Sequence, residues 1–412
     1  MDSPIPLDTE KKRIQYEIFH RAPPGWPRPM TRKSVALLVE TSNAYARGLV
    51  EGITDYLREF PGWSIYLPEQ QRSAEAPRWL TNWHGDGVIA RIETAHIAAA
   101  LSKLKIPVID VSAARPLPDL PWVETDDEAI ARLAAEHLLQ RGFRNLAYCG
   151  EIGFNWSRWR GETFTREVLN RGAKCYQFEN ATRGQQGYRW QEQMDRLSHW
   201  LCQLPKPIGI MACYDMKAQQ LLDTCRQLGI AVPDEVAVIG VDNDELLCNL
   251  CDPPLSSVIP DARRTGYLAA ELLQQAMEGK KVPAEGHFIE PLGVATRQST
   301  DVLAIEDREI AAVVRYIRLH ACSGITVKDI LRDIPMSRRV LENRFIKWVG
   351  KTPHEAILQQ RLDRVKVLLR ETELPLDKIA IQTGFEHPEY LSVVFRKHFG
   401  MPPGAYRRIS LS

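Results

Sequence analysis

Two stretches near the C-terminus repeat one another almost position for position. Val327, Ile330 and Leu331 recur as Leu376, Ile379 and Ala380 at an offset of 49. Leu341, Phe345, Val349, Gly350 and Pro353 recur as Leu391, Phe395, Phe399, Gly400 and Pro403 at an offset of 50. The one-residue slip falls between two helical patterns, where an inserted residue costs least. Each copy reads as a short amphipathic helix, a turn and a second amphipathic helix. A single pattern of this kind is ordinarily a plain helical hairpin. Duplication at constant spacing is harder to explain except as two helices that read two stretches of DNA major groove.

In the first copy, a helix over Thr326–Ile334 sets Val327, Ile330, Leu331 and Ile334 on one face, the spacing of a buried support helix. Ser337 is a natural N-cap for the next helix, Arg338–Val349. Leu341, Phe345 and Trp348 point inward there and leave Arg338, Arg339, Glu342 and Asn343 outward on the first turns. First turns are where a recognition helix reaches base edges. Arg forks onto guanine, Asn onto adenine, and Glu accepts from cytosine. A connecting helix is expected over Pro353–Glu371. The second copy follows as Leu376–Thr383, a turn through Gly384 and Phe385, and a helix over Pro388–Phe399. Pro388 suits a first helical position because its missing N–H has no partner to lose. The outward side of that helix carries Glu389, Ser392, Val393 and Arg396. Lys397, Arg407 and Arg408 suit phosphate contacts, which position without specifying sequence.

The 412 residues suffice for two or three domains. The net charge of +1 conceals an asymmetry: from Asp301 onward there are 19 Lys+Arg against 14 Asp+Glu, so the tail is basic and the preceding body acidic. That balance fits a nucleic-acid reader joined to another module. No apolar run reaches the length of a membrane span. The first thirty residues hold charges from Glu10 to Arg13 and a Pro-rich stretch, Pro23–Pro29, in place of a signal-peptide core. Residues 1–30 are expected to be a disordered extension, or to precede a true start at Met30, and the protein to be cytoplasmic. The eight cysteines show no disulfide or zinc spacing, and Cys248-x-x-Cys251 reads as reduced thiols at an element end. No metal and no cofactor is expected.

From Thr31 to about Pro291, short apolar runs alternate with amphipathic stretches. Strands are expected at Val35–Val39, Ile65–Leu67, Gly87–Ala90, Val108–Val111, Leu146–Cys149, Gly209–Ala212 and Val236–Gly240. Helices are expected at Gly48–Phe60, Glu128–Arg141, Gln191–Leu204 and Met216–Leu228. This alternation predicts an α/β body of parallel, doubly wound sheets, in which ligands bind beyond the carboxyl ends of the strands. Those positions are polar: Thr41, Ser42, Asn43, Tyr45 and Arg47; Arg91; a loop Glu151–Arg160 with Asn155, Trp156, Arg158, Trp159 and Arg160; Tyr214 and Asp215; Asp242, Asn243 and Asp244. Carboxylates, amides and guanidiniums beside Trp and Tyr suit a polyhydroxylated ligand, whose hydroxyls need fixed partners and whose C–H faces pack on rings. Each residue also has a plainer role open to it. Asp215 could be an N-cap, Asp242 and Asn243 could shape a turn, and Arg160 could be a surface charge.

Val123–Asp126, the helix ending His137-Leu138, Gly142, Val236–Asn243, Pro254–Val258 and Gly266–Ala270 resemble the LacI/GalR and periplasmic sugar-binding family. The resemblance implies two Rossmann-like lobes joined by three crossovers that close on a sugar. It also implies ligand roles for Arg158, in an Arg-x-x-Gly pattern ending at Gly161, and for Asp242, in a Gly-x-Asp pattern. Asn43, Tyr45, Arg91, Asp215 and Asn243 are supporting candidates. The segments Gly384–Phe395 and Pro402–Arg407 are similar to the AraC-type transcription activator signature. Joined in this order, and with Asn43-Ala-Tyr45, Arg158-Trp159, Ser299–Asp301 and Ile317–Cys322, the two parts resemble the xylose-operon activator family. Arg91 departs from that likeness, since an acidic residue is expected in its place.

No persuasive catalytic constellation is present. Gly350-Lys351-Thr352 lacks the upstream glycine of a phosphate loop, where Phe345 stands, and Gly85-Asp86-Gly87 leads into a strand instead of following one. The expected protein is not an enzyme. It is an α/β, two-lobed periplasmic-binding-protein-like sensor over 31–296, a linker over 297–307, and an all-α tandem helix-turn-helix domain over 308–412. Its expected partners are double-stranded DNA, a monosaccharide such as D-xylose or a related pentose, a second copy of itself and RNA polymerase, with no membrane. The alternative is a sensor of a non-sugar small molecule, such as a purine, with the same DNA-binding output.

Overall fold

The computed structural model describes residues 32–68, 77, 79–181, 188–302, 305, 307–372 and 374–410; the extension expected over 1–30 lies outside them. The described strands are β1 (Lys33–Leu38), β2 (Trp63–Tyr66), β3 (Gly87–Ala90), β4 (Val108–Asp110), β5 (Trp122–Thr125), β6 (Asn145–Glu151), β7 (Lys174–Asn180), β8 (Ile208–Ala212), β9 (Val236–Val241), β10 (Ser256–Ile259), β11 (Gly286–Ile289) and β12 (Gly293–Ala295). The helices of the body are α1 (Ala44–Glu59), α2 (Ala95–Leu101), α3 (Asp127–Gln140), α4 (Asn155–Asn170), α5 (Trp190–Gln203), α6 (Asp215–Gln227), α7 (Glu245–Leu250) and α8 (Ala262–Met277). The chain forms two compact units. One ends at Asp126 and resumes over Pro260–Glu290; the other holds Asp127–Ile259 and everything from Pro291 onward.

In the first unit the strand order is β11-β5-β4-β3-β1-β2, and the pairs are parallel. Residues such as Leu37, Ile89, Ile109 and Leu273 are fully buried because helices cover both faces of the sheet. Helices α1 and α8 approach closely through glycine. A Cβ on Gly52 would lie 1.8 Å from the Arg263 carbonyl oxygen, and one on Gly266 would lie 2.0 Å from that of Leu49.

In the second unit the order is β12-β10-β9-β8-β6-β7, parallel except for the antiparallel β10–β12 pair. Its core gathers Ile208, Ile210, Leu221, Val236 and Val238 from strands and α6. The body strands with continuous apolar runs correspond to the sequence expectations. Absent from those expectations are β5, β7, β10, β11 and β12. β7, β11 and β12 lie on sheet edges and are mostly half-buried or exposed, while β10 begins with two serines that are buried and hydrogen-bonded. The expected loop 151–160 is also corrected. Helix α4 begins at Asn155, directly after the turn containing Gly153, and its mostly polar sequence hides the helical pattern.

The stretch expected as a linker starts inside this unit. Gln298–Thr300 is a 3-10 turn with Ser299 and Thr300 fully buried. Ser299 Oγ donates to the Val238 carbonyl at 2.6 Å, and Thr300 Oγ1 donates to Ser256 Oγ at 2.7 Å. Any free connection therefore begins no earlier than Asp301.

The tail comprises α9 (Arg308–His320), α10 (Val327–Asp333), α11 (Arg338–Val349), α12 (Pro353–Glu371), α13 (Leu376–Gln382), α14 (Pro388–Phe399) and α15 (Pro403–Ser410). The duplication is structural: α10 and α13 have seven residues each, and α11 and α14 have twelve each. The slip sits in the turns, Ile334–Ser337 against Thr383–His387. Each copy has its own core, one around Ile330, Leu341 and Phe345, the other around Ile379, Leu391 and Phe395. Helix α12 serves both, giving Ile357 to the first and Leu362, Val365 and Leu369 to the second. Arg361 on α12 donates to the carbonyls of Ala321 and Ile325, both at 2.8 Å. Gly384, at φ +74°, lies so near the first copy that a Cβ would meet the backbone of Gly324, Cys322 and Ala321 at 2.8–3.0 Å. The second copy thus packs backbone to backbone against the turn that leads into the first.

Candidate functional site

In the second unit, polar groups collect where β6, β8 and β9 end. Arg160, offered above as a surface charge, is 5% exposed. Its Nε donates to Asp127 Oδ1 at 2.6 Å and its Nη1 to the Cys213 carbonyl at 2.6 Å. Burial opposes its charge, but Asp127 and Asp242 more than restore it. Two residues earlier on α4, Arg158 is exposed and reaches Asn155 at 3.5 Å. One guanidinium therefore belongs to the scaffold and the other is presented to solvent.

Asp215 is the first residue of α6, not an N-cap, and is 2% exposed. Its Oδ1 accepts from Ser257 Oγ at 2.7 Å, and its Oδ2 accepts from the Asp244 N–H at 2.8 Å and from Cys248 Sγ at 3.4 Å. Burial, reinforced by Asp242, pushes its carboxyl up to about 8. Asp215 therefore braces the loop after β9. In that loop Asp242 and Asn243 adopt φ of +105° and +47°, backbone that is uncommon outside glycine and clusters at functional sites. Asn243 N–H donates to Ser257 Oγ at 3.0 Å, while its Oδ1 is buried without a hydrogen-bond partner. Trp156 meets Tyr214 edge-on, with centroids 5.8 Å apart, and stacks on Phe154 at 5.1 Å. Cys248, on α7, and Cys251, at its C-cap, are free thiols, as expected.

In the first unit the ends of β1, β3 and β4 carry the corresponding groups. Asn43 caps α1, accepting from the Ala46 N–H at 2.8 Å and donating to Glu40 Oε2 at 2.9 Å. Arg91 pairs with Glu93 at 2.6 Å and lies over the Tyr45 ring at 5.5 Å. An acidic group thus stands beside the arginine that departs from the expected pattern.

Sequence reasoning missed three further acceptors. Asp110 Oδ2, Glu151 Oε2 and Asn180 Oδ1 are all buried without hydrogen-bond partners. They occupy the last positions of β4, β6 and β7. Burial pushes the Asp110 carboxyl up to about 7, against hydrogen bonds from Ser112 and Ile92. The signal is positional: by sequence Asp110 reads as interior to a strand and Glu151 as the start of a loop, and β7 lacks a continuous apolar run.

On the tail, Ser337 caps α11 as expected, accepting from the Val340 N–H at 3.3 Å. Arg338, Arg339 and Asn343 are exposed and Glu342 is partly so. Arg338 Nε donates to Glu342 Oε1 at 2.9 Å, and Arg339 and Asn343 stand exposed on the same helix. Arg344 turns the other way, with its Nε 2.8 Å from Asp307 Oδ2, and pairs also with Glu309. This bidentate grip ties α11 to the N-cap of α9. Helix α9 is in turn fixed by Arg318, which reaches Asp234 at 2.7 Å and the Asp301 carbonyl at 2.8 Å. On α14, Glu389, Val393 and Arg396 are exposed, and the Ser392 hydroxyl donates back to the Pro388 carbonyl at 2.9 Å. Arg407 donates to the Leu374 carbonyl and so is built into the fold, which leaves Lys397 and Arg408 exposed for phosphate contact.

Three family models match this chain: a periplasmic binding protein-like domain over residues 135–300, a XylR N-terminal domain over 34–128, and a helix-turn-helix domain over 330–409. The xylose operon regulatory protein of Escherichia coli K12 is 33% identical over 390 residues, covering 92% of this chain and 98% of that protein. The namesake from Haemophilus influenzae is 32% identical over 381 residues, covering 90% and 97%. The chain belongs to the xylose operon regulator family. A solved structure described as the xylose-binding transcription activator xylR aligns with TM-score 0.77 at 32% identity, over 92% of this chain and 98% of that one. Membership makes the protein an AraC-type DNA-binding transcription regulator with a periplasmic-binding-like sensor; the family is one of regulators, not enzymes. Among the described residues, no helix is long and apolar enough to cross a membrane.

Proposed function

We propose that the protein activates transcription of a sugar-utilisation operon in response to D-xylose or a related pentose. It acts on chromosomal DNA as a homodimer that contacts RNA polymerase. The carrying observation is the set of buried acceptors without partners, Asp110, Glu151, Asn180 and Asn243, at the carboxyl ends of strands. A buried acceptor left unmade is costly, and a ligand rich in hydroxyl donors relieves that cost. The sugar-contacting residues proposed are Arg158, Asp242 and Asn243 on the second unit and Asn43, Tyr45 and Arg91 on the first, joined by the unmet acceptors Glu151 and Asn180 on the second and Asp110 on the first, with Asp215 and Arg160 as positioning residues. The relatives are xylose operon regulators, which points to the same ligand class. A purine is disfavoured because Trp156 touches both Phe154 and Tyr214 directly, leaving no flat slot between these rings. Arg338, Arg339, Glu342 and Asn343 on α11, with Glu389, Ser392, Val393 and Arg396 on α14, form the proposed base-reading set.

Thermal-shift screening of the full chain against pentoses, hexoses and purines tests the ligand class. A ligand at 100 times its Kd stabilises by about 2.7 kcal/mol. D-xylose is expected to give that shift, and Arg158→Ala to lose it while retaining DNA binding. A shift with purines and none with any sugar would overturn the reading.

A further inference from the structure

We infer that the two reading helices use opposite chemistry at the same register: Asn343 of α11 hydrogen-bonds a base edge, whereas Val393 of α14, with Tyr390 beside it, packs on thymine methyl groups. This inference rests on the DNA-reading role proposed above. The phase of the two helices is fixed by their cores, since Leu341 and Leu391, and likewise Phe345 and Phe395, are fully buried at an offset of 50. Asn343 and Val393 therefore occupy equivalent outward positions, as do Arg339 and Glu389, and Val340 and Tyr390. Val393 is 66% exposed and Tyr390 54%, one helical turn apart on the same side of α14.

An apolar pair at this place is informative because its surroundings are polar and cationic. Lys397, in the last turn of α14 beside Arg396, carries a charge that suits flanking phosphates. The Ser392 hydroxyl is committed to the Pro388 carbonyl, and the Tyr390 phenol is the neutral polar tip of an otherwise apolar ring. What α14 offers at its centre is the Val393 hydrocarbon flanked by the Tyr390 ring. The hydrocarbon feature of the major groove is the thymine C5-methyl. Helix α11 carries an amide at the equivalent point, which suits adenine N6 and N7. The binding site would then be bipartite, with a segment read by hydrogen bonds and a thymine-containing segment read by van der Waals contact.

The test starts from duplexes enriched from a random pool by the full chain. Each thymine is replaced in turn by deoxyuridine, which lacks only the methyl. Burial of one methyl group corresponds to about fourfold in affinity, so one or two positions should lose about fourfold each for the wild-type protein. Val393→Ala, a substitution that a helix surface tolerates, should bind the parent duplex more weakly and be indifferent to uridine at those positions. Val393→Asn should shift the preference there toward adenine. Uridine substitution without effect anywhere, or with equal loss in Val393→Ala, overturns the inference while leaving DNA reading intact. Failure to enrich any duplex overturns both. Circular dichroism of each variant shows that α14 still folds.

Discussion

Acidification should weaken the second unit through one histidine, by an amount that follows from its surroundings. His137 is 7% exposed on α3. Its Nε2 lies 2.7 Å from Thr300 Oγ1, and its Nδ1 lies 3.1 Å from the Arg141 guanidinium, which can only donate. Nδ1 is therefore the acceptor, Nε2 carries the proton, and the ring is neutral. Burial first, and Arg141 second, push its pKa down to about 3. Because the native value is depressed, the unfolded chain binds more protons throughout the window from about 6.5 down to about 3. Stability from this group is complete above the unfolded pKa and is lost as pH falls. Between pH 7 and pH 5 an unfolded imidazole of ordinary pKa takes up its proton while His137 does not, a difference of about 2 kcal/mol. At pH 5 the figure is set by the unfolded pKa, because His137 stays unprotonated there. Urea unfolding of the full chain at pH 7 and pH 5, compared with His137→Gln, isolates the contribution because all other groups titrate alike in both proteins. The wild type should lose about 2 kcal/mol more than the variant. Equal losses would show that the imidazole is not held neutral against Thr300 and Arg141.

Further substitutions probe the scaffold behind each site. Arg160→Met removes the guanidinium that neutralises buried Asp127 and should cost about 3–5 kcal/mol in urea unfolding, with much of that recovered when Asp127→Leu is added. Gly384→Ala forces a left-handed residue against the Ala321–Gly324 backbone and should cost at least about 1–2 kcal/mol; unchanged stability would mean that the two helix-turn-helix copies are not pressed together there. Arg344→Val installs the residue that the second copy has, Val394, and removes the grip on Asp307. Affinity should fall for all duplexes with base preference retained, as read by competition binding; altered preference would place Arg344 at the bases.

The parts legible in the sequence were those where a local pattern and the global environment agree. The tail helices α11 and α12 fall at the predicted residues because capping residues, apolar stripes and turn glycines all point to the same boundaries. Most central strands were legible because burial on both faces demands continuous apolar runs. The central strands β5 and β10 and the edge strands β7, β11 and β12 were not, since polar side chains there are accommodated by solvent or by partners far along the chain. The candidate site divided in the same way. Arg158 and Arg160 are two residues apart on one helix, yet one is exposed and the other is sealed against Asp127, a partner 33 residues away. Asp215 reads from the sequence as a ligand or a cap; the cap is Tyr214, and the Asp215 carboxylate braces the loop after β9 through Ser257 and Asp244.

The sequence by itself determined that a duplicated helix-turn-helix follows an α/β sensor, because periodicity and repeat spacing are properties of the chain. Only the tertiary structure decided which charged side chains face solvent and which acceptors remain unmet. It also decided that the connection after Arg297 is anchored within the second unit. Those outcomes depend on groups brought together from distant positions, and desolvation acts on where a group ends up, not on its neighbours in sequence.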